Sequence, residues 1–353
     1  MKEVTIRTPK GIRKIGPGRA AFIIAEMSGN HHQSLKQAMK IVDAAAASGV
    51  DSIKLQTFKP GEITLDCDNK YFQVKVNKAW AGQTLYSLYQ KVYTPWEWQA
   101  KLKKYGESKG LLVFSTPAHE SAVDFLEKLK MPLYKIGSFE LTDTPLLERI
   151  GRTKKPVIIS RGMASEAEVK LAVKTLRAAG APEVAVLHCI SSYPAKPEEM
   201  NIATIPALAK KLKIPIGLSD HSLAHTASVA AVALGACIIE KHFTLLRSDG
   251  GPDAAFSLEP KEMKQLVKEI RETEAAIGKP LLKTGNRELE NKIFRHSLFV
   301  ALDINKGQKI TAANVKSVRP GFGLEPKFLK KVMGRKVKVN LKKGTPLRWS
   351  HII

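Results

Sequence analysis

The sequence is short of cysteine, of long apolar runs and of acidic residues. Its 353 residues include only 3 cysteines, Cys67, Cys189 and Cys237. They are odd in number, far apart and without zinc-ligand spacing, which excludes a disulfide framework and fits a reducing cytoplasm. No apolar stretch approaches the roughly 20 residues that a membrane span needs. The basic segment from Met1 to Ala20 lacks the apolar core of a signal peptide. Nothing resembling Gly-x-Gly-x-x-Gly follows a first strand, so a dinucleotide-binding reading has no anchor. With 44% hydrophobic and 25% charged residues, disorder and collagen-like repeats are excluded as well.

Acidic residues are the real deficit: 33 Asp+Glu face 57 Lys+Arg, a formal net charge of +24. The excess is uneven. Between Ile293 and Ile353, 14 basic residues face only Asp303 and Glu325, a net of +12 in 61 residues. Charge alone has two readings, an anionic partner such as nucleic acid or a membrane surface, or a solvated lysine-rich surface. A flat, weakly charged ice-binding face is a poor match to the same segment.

What the chain does have is a repeat. Short apolar runs, Phe22–Glu26, Ser52–Thr57, Leu111–Thr116, Leu133–Gly137, Pro156–Ser160, Val184–Cys189, Pro215–Ser219 and Cys237–Lys241, alternate with stretches of helical spacing such as Ser34–Ser48 and Ala164–Ala179. Near-continuous apolar strands followed by helices predict a parallel sheet, and eight units in about 280 residues predict a closed (β/α)8 TIM barrel. Val4–Gly18 reads as a hairpin plugging the barrel bottom. Residues 59–97 form a long insertion after the second strand, carrying Tyr71, Phe72, Trp80, Tyr86, Tyr89, Tyr93 and Trp96. These aromatics fit a local mini-core, in the place where a substrate lid belongs. The expected boundaries are a catalytic barrel over 1–280, a linker over 281–292 and a small β-rich module over 293–353 with runs at Ser297–Leu302, Lys336–Val339 and Leu347–Trp349.

In such a barrel the chemistry sits where strands end. All eight predicted strands end in ionisable or hydroxyl residues, among them Glu26 and Asn30, Lys54 and Gln56, Thr116, Lys135, Ser160, His188 and Ser191, Ser219 and Asp220, and Glu240 with His242. One polar end is an ordinary helix cap; eight converging on one mouth predict an enzyme. Lys54, Lys135 and Lys241 with Ser138, Ser160 and Ser191 compose a cationic, hydroxyl-rich cradle for a phosphate or carboxylate. His221 and His242, on adjacent strands, are either two ligands of a divalent cation or two hydrogen-bonded core histidines. Glu26 and Glu140 lie near the same cations as general bases or hydroxyl binders, and Asp220 reads as an orienter of His221 or a helix cap. Phosphate-ester chemistry or condensation at a carbonyl follows.

Five ordered motifs, Ile-Ile-Ala-Glu26-Met-Ser-Gly-Asn30-His31, Ile-Lys54-Leu-Gln56-Thr-Phe, Tyr-Lys135-Ile-Gly-Ser138-Phe-Glu140, Gly-Leu-Ser-Asp220-His221-Ser and Ile-Glu240-Lys-His242-Phe-Thr, resemble the sialic acid synthase family. The tail, with Arg319-Pro320-Gly321-Phe-Gly323-Leu, is similar to the antifreeze-like SAF domain that ends those enzymes. The resemblance implies a cytoplasmic, metal-dependent transferase that condenses phosphoenolpyruvate with an acetamido sugar. It implies Mn2+, Mg2+ or Co2+ on His221 and His242, and phosphoenolpyruvate on Lys54, Thr116, Lys135, Ser138 and Ser160. Gln56, Tyr193, Asp253 and Arg319 would face the sugar along with Glu26, with Glu140 near the condensing centre. Asn30, Ser191 and Ser219 complete the expected substrate contacts. The family further implies a domain-swapped homodimer in which Arg319 reaches the neighbouring subunit's sugar, with no nucleic acid and no membrane involved.

Two departures from the neuraminate pattern, Ser191 in Cys-Ile-Ser-Ser-Tyr193-Pro and Phe322 in Arg-Pro-Gly-Phe-Gly-Leu, look more like the pseudaminate branch, whose sugar is a 6-deoxy-2,4-diacetamido altrose. Gly-Pro-Asp253 is more typical of the neuraminate branch. Arg161 stands where the family commonly has Thr and adds a cation beside the expected phosphate site.

Overall fold

A computed structural model describes residues 3–75 and 81–353. The chain divides into two compact units, Met1–Gly278 and Lys279–Ile353.

The first unit opens with an antiparallel hairpin, β1 (Val4–Thr8) and β2 (Gly11–Ile15), and continues into eight parallel strands: β3 (Phe22–Glu26), β4 (Ser52–Thr57), β5 (Leu112–Pro117), β6 (Tyr134–Ile136), β7 (Val157–Ser160), β8 (Val184–Cys189), β9 (Ile216–Asp220) and β10 (Ile238–His242). They pair in chain order, and β10 closes on β3 with Ile238 beside Phe22 and His242 beside Glu26. The closed barrel is the TIM-type architecture expected from the repeat.

The helices between the strands form for local reasons. Leu35–Ser48 starts where Ser34 Oγ accepts the Gln37 N–H, and stops at Gly49, whose φ of 82° fits a residue without Cβ. Glu166–Ala179 begins with a capping box from Ser165 and Glu168. Their apolar stripes cover the barrel's outer face, joining Ile23, Ala25, Ile53, Leu55, Val113, Ile159, Val186, Leu218 and Ile239 in the main core.

Side chains on alternate strand positions point inward. Phe22, Ile24, Leu112, Phe114, Leu133, Ile158, Ala185, Leu187 and Ile238 fill the lower barrel together with Val4, Ile6 and Ile15 of the hairpin. The hairpin therefore closes the end where the strands begin, as expected from the sequence. Above this apolar fill, the same inward rows carry polar residues.

The insertion differs from expectation. It holds helices Pro60–Ile63 and Leu85–Val92, and its small core is mainly aliphatic: Phe58, Val74, Leu88 and Val92, with Ile63, Leu85, Tyr89 and Tyr93 packed against them. Tyr71 is exposed, and Trp80 lies outside the described residues.

In the second unit, β11 (Ser297–Val300) pairs antiparallel with β12 (Val315–Val318) around a core that includes Leu298, Val300, Ile304, Val315, Val337 and Leu347. The expected runs at Lys336–Val339 and Leu347–Trp349 are not strands: their neighbourhood contributes single bridges, Lys309 to Lys336, Val337 to Ile352 and Phe299 to Pro346. Within the expected linker, Asn286–Glu290 is a short helix. Among the described residues no helix is long and apolar enough to cross a membrane.

Candidate active site

A cavity of about 450 Å3 opens at the end of the barrel where the strands finish. Its floor is made by the upper inward positions of the barrel, with Lys54, Gln56, Thr116, Lys135, Ser160, Ser219, Glu240 and His242 drawn from six strands, and Ser138, Glu140, Tyr193, His221 and Asp253 added from the loops. Residues scattered over about two hundred positions meet because the strand residues among them occupy the last one or two inward steps of their strands.

Two buried lysines dominate the floor. Lys54 Nζ pairs with Glu26, lies 3.6 Å from Glu240 Oε1 and donates to Thr116 Oγ1 at 3.1 Å. Lys135 Nζ donates to Ser160 Oγ at 2.7 Å and lies 3.5 Å from Glu240 Oε1. Burial works against the Lys54 ammonium, but Glu240 and Glu26 outweigh it and raise its pKa. Lys135 is lowered by burial, only partly offset by Glu240. Burial raises Glu26; at Glu240 it also acts upward, yet Lys135 and Lys54 together bring that carboxyl below the ordinary value. Charges this deep persist only when paired, so removing one partner is expected to leave a costly isolated ion.

The hydroxyls stand around the lysines. Ser138 Oγ and Ser191 Oγ are 3.0 Å apart, and Ser219 Oγ donates to Glu240 at 3.4 Å. Gly162, at φ 44°, lets the loop after β7 approach: a Cβ there would fall 2.7 Å from Ser191 Oγ and against the Ser138 side chain. Glu140 curls back over Gly137, and burial pushes its carboxyl up. At the far side Asp253 bonds to Ser28 Oγ, which also accepts from Gln56 Nε2 at 3.2 Å; burial raises the Asp253 pKa.

The two histidines face each other with ring centroids 5.4 Å apart, and Tyr193 packs 4.3 Å from His221. Burial holds both neutral, His221 at about 4 and His242 well below the usual range. His221 Nδ1 bonds the Ile190 carbonyl oxygen at 2.7 Å, which fixes the Nδ1–H tautomer and leaves Nε2 as the acceptor. His242 Nδ1 is buried with no hydrogen-bond partner among the described residues. Neutral imidazoles with available lone pairs fit a divalent cation. No third His, Cys, Asp or Glu joins them in a ligand group among the described residues, so substrate oxygens and water would supply the remaining positions.

Several expectations need correction, mostly because of strand alternation. Lys241 is no part of the cradle. Lying between inward Glu240 and His242, it points out of the barrel, pairs with Asp220 at 3.1 Å and donates to the Ser222 carbonyl. Asp220 accepts from Ser222 N and Ser228 Oγ and makes no contact that orients His221. His188 likewise points outward, to the Met200 carbonyl. Asn30 is fully buried and spends its amide on the Phe243 carbonyl and Ser257 Oγ, both at 2.9 Å, so it braces the loop rather than lining the cavity. Arg161 is not a cavity residue; its guanidinium donates to the Ala164 carbonyl at 3.2 Å. Glu26 lies beneath Lys54, and Ser191 touches the cradle through Ser138. Arg319 and Phe322 are exposed residues of the second unit.

Sequence reasoning gave no role to Glu240, although an alternation counted back from His242 points it inward. It also passed over the aliphatic side of the insertion, where Leu85, Leu88 and Val92 recur at helical spacing and line the cavity.

Comparison with known proteins agrees with this geometry. Residues 41–281 match the model of the NeuB family, and residues 295–353 match the SAF domain. The chain is 40% identical over 330 residues to pseudaminic acid synthase of Campylobacter jejuni, covering 94% of this chain and 96% of that protein. It is 35% identical over 351 residues to N,N'-diacetyllegionaminic acid synthase of Legionella pneumophila, covering 98% of each. Among solved structures, the N-acetylneuraminic acid synthetase of Leptospira borgpetersenii in complex with citrate superposes with a TM-score of 0.72 at 32% identity, over 82% of this chain and 95% of that one.

Proposed function

Because this chain belongs to the NeuB family of sialic acid synthases, we propose that it condenses phosphoenolpyruvate with 2,4-diacetamido-2,4,6-trideoxy-altrose to give pseudaminic acid and phosphate. The observation that carries the reaction class is the floor itself, two buried lysines with hydroxyls beside two neutral histidines in one cavity. The greater similarity to a pseudaminic acid synthase than to a legionaminic acid synthase supports the choice of sugar.

In this reading Lys54, Lys135, Thr116, Ser138 and Ser160 hold the phosphate and carboxylate of phosphoenolpyruvate. Asp253, Gln56 and Tyr193 orient the open-chain sugar. His221 and His242 hold Mn2+, Mg2+ or Co2+, which when bound polarises the sugar's aldehyde as a Lewis acid. The π electrons of phosphoenolpyruvate form the bond from C3 to the aldehyde carbon, and the aldehyde oxygen takes up a proton. C2 is left electron-poor; in this reading Glu140, which lines the cavity, receives a proton from the water that adds there, while Glu26 holds Lys54 charged from beneath. Breaking the C2–O bond to phosphate, with the C2 hydroxyl proton passing to the departing phosphate, then yields the 2-keto acid and inorganic phosphate. Alignment of two bound substrates supplies much of the acceleration, which explains a floor so densely committed to positioning. The active form in this proposal is a cytoplasmic, domain-swapped homodimer in which Arg319 of one subunit contacts the sugar of the other.

The deciding experiment incubates the protein with phosphoenolpyruvate, Mn2+ and a panel of acetamido sugars, reading phosphate release and product mass. Phosphate release and a new nine-carbon acid with the 6-deoxy-diacetamido sugar are expected, both abolished by EDTA. Turnover of N-acetylmannosamine alone overturns the sugar assignment in favour of a neuraminate synthase, the reading that Gly-Pro-Asp253 favours. Salt-sensitive nucleic-acid binding without phosphate release overturns the enzyme reading altogether.

A further inference from the structure

The cavity has two chemically opposite sides. Opposite the charged floor stands a wall made by the insertion and the end of β4: Phe58, Val74, Leu85, Leu88, Tyr89 and Val92. The Tyr89 hydroxyl is the one polar side-chain group that these six bring.

This wall is fixed to the barrel. Gly29 makes room for it, since a Cβ there would come within 2.8 Å of the Val92 Cβ. Gln33 Nε2, in the loop after β3, donates to the Lys91 carbonyl at 3.2 Å and the Tyr93 carbonyl at 2.7 Å, tying down the end of the Leu85–Val92 helix. Trp96 Nε1 donates to the Phe58 carbonyl at 3.3 Å, and Phe58 packs edge-on against Tyr89 with centroids 5.6 Å apart. Aliphatic side chains held this way present a defined apolar surface to whatever occupies the cavity.

Phosphoenolpyruvate, with its phosphate, carboxylate and enol oxygen, belongs on the floor. The wall must therefore meet the second substrate, and a polyhydroxylated edge would forfeit hydrogen bonds against it. We propose that Leu85, Leu88 and Val92 are specificity-determining residues that receive the methyl groups of the acceptor sugar, its deoxy carbon and an acetamido methyl, and so select a 6-deoxy-diacetamido sugar over its 6-hydroxy counterpart. The inference rests on the condensation reading above and adds the part of the site that chooses the sugar. Its reach is bounded, because an apolar pocket rejects an added hydroxyl by about 100-fold at most.

The test compares kcat/KM for the 6-deoxy-diacetamido sugar and the same sugar bearing a 6-hydroxyl, with KM for phosphoenolpyruvate measured alongside. Wild-type protein is expected to prefer the deoxy sugar by about 10- to 100-fold. Leu88→Asn, and Leu85→Gln at a half-exposed position where a polar side chain is easily accommodated, should each reduce that preference about tenfold while leaving KM for phosphoenolpyruvate in place. Leu88→Met should retain the preference. Equal losses toward both sugars, or a change confined to phosphoenolpyruvate, would overturn the wall's role. Failure of wild-type protein to turn over either diacetamido sugar would instead overturn the reading on which it rests.

Discussion

The barrel floor and the C-terminal unit use the same residue type in opposite ways. Lys54 and Lys135 are almost completely buried, each within reach of a carboxylate and a hydroxyl. Lys330, Lys336, Lys338 and Lys343 in the tail are exposed. Most of the chain's unusual charge is of the second kind, yet the proposed chemistry rests on the first. A lysine in solvent is screened and nearly independent of its neighbours. One in the floor is tied to carboxylates that share its protonation, so each member matters to all. Net charge is densest in the tail, whereas buried charge lies in the barrel.

Substitutions graded by size test that contrast. The largest effect is expected from Lys135→Met, which should lower kcat/KM for phosphoenolpyruvate by about 100- to 1,000-fold in a phosphate-release assay. Retained activity would mean that the floor lysine is merely structural. Next comes acid sensitivity in the barrel. His31 is fully buried in the loop after β3, and burial, aided by His32, depresses its pKa to about 4. Between the ordinary histidine value near 6.5 and about 4 the unfolded chain binds a proton that the folded chain refuses. The stabilisation is therefore fully present above pH 6.5 and is lost progressively as pH falls through the window, by about 3 kcal/mol in all. Denaturant unfolding from pH 7.5 to 4.5 should show a slope to which His221 and His242 also contribute, and His31→Asn should reduce it by the His31 share; an unchanged slope would assign the acid sensitivity to the other groups.

Gly162→Ala follows. The new Cβ collides with Ser138 and Ser191 in a backbone conformation suited to glycine, so a loss of about 1–3 kcal/mol is expected in urea unfolding, with a raised KM for phosphoenolpyruvate. A harmless substitution would show the cradle to be looser than its geometry. At the bottom of the scale, Lys330, Lys336, Lys338 and Lys343 changed singly to Gln should shift Tm by less than about 2 °C and leave turnover unchanged. A large effect from any of them would erase the distinction between the two regions.

Much of this was legible in the residues. Apolar strands ending in Glu26, Lys54, Thr116, Lys135, Ser160, Ser219 and His242 announced both the barrel and its mouth, because a buried parallel strand must be apolar until it reaches the surface where chemistry occurs. The β-rich tail was harder. Its core residues Val337 and Leu347 stand in single bridges rather than strands, and short irregular pairings leave no clear period in the sequence.

The sequence by itself determined that eight βα units close a barrel with a polar rim, since both facts follow from local patterns, near-continuous apolar runs ending in polar residues and intervening stretches of period 3.6. Only the tertiary structure decided which rim residues look inward. Lys241 and Glu240 are neighbours in the chain, yet one is anchored to Asp220 and the loop after β9 and the other stands between two buried lysines. Strand alternation fixes that the two must differ, but closure of the sheet fixes which faces the cavity. The apolar wall was decided the same way. Leu85, Leu88 and Val92 looked like any helix stripe until packing of Val92 over Gly29 brought them to the mouth, a contact between residues 63 positions apart that no local pattern encodes.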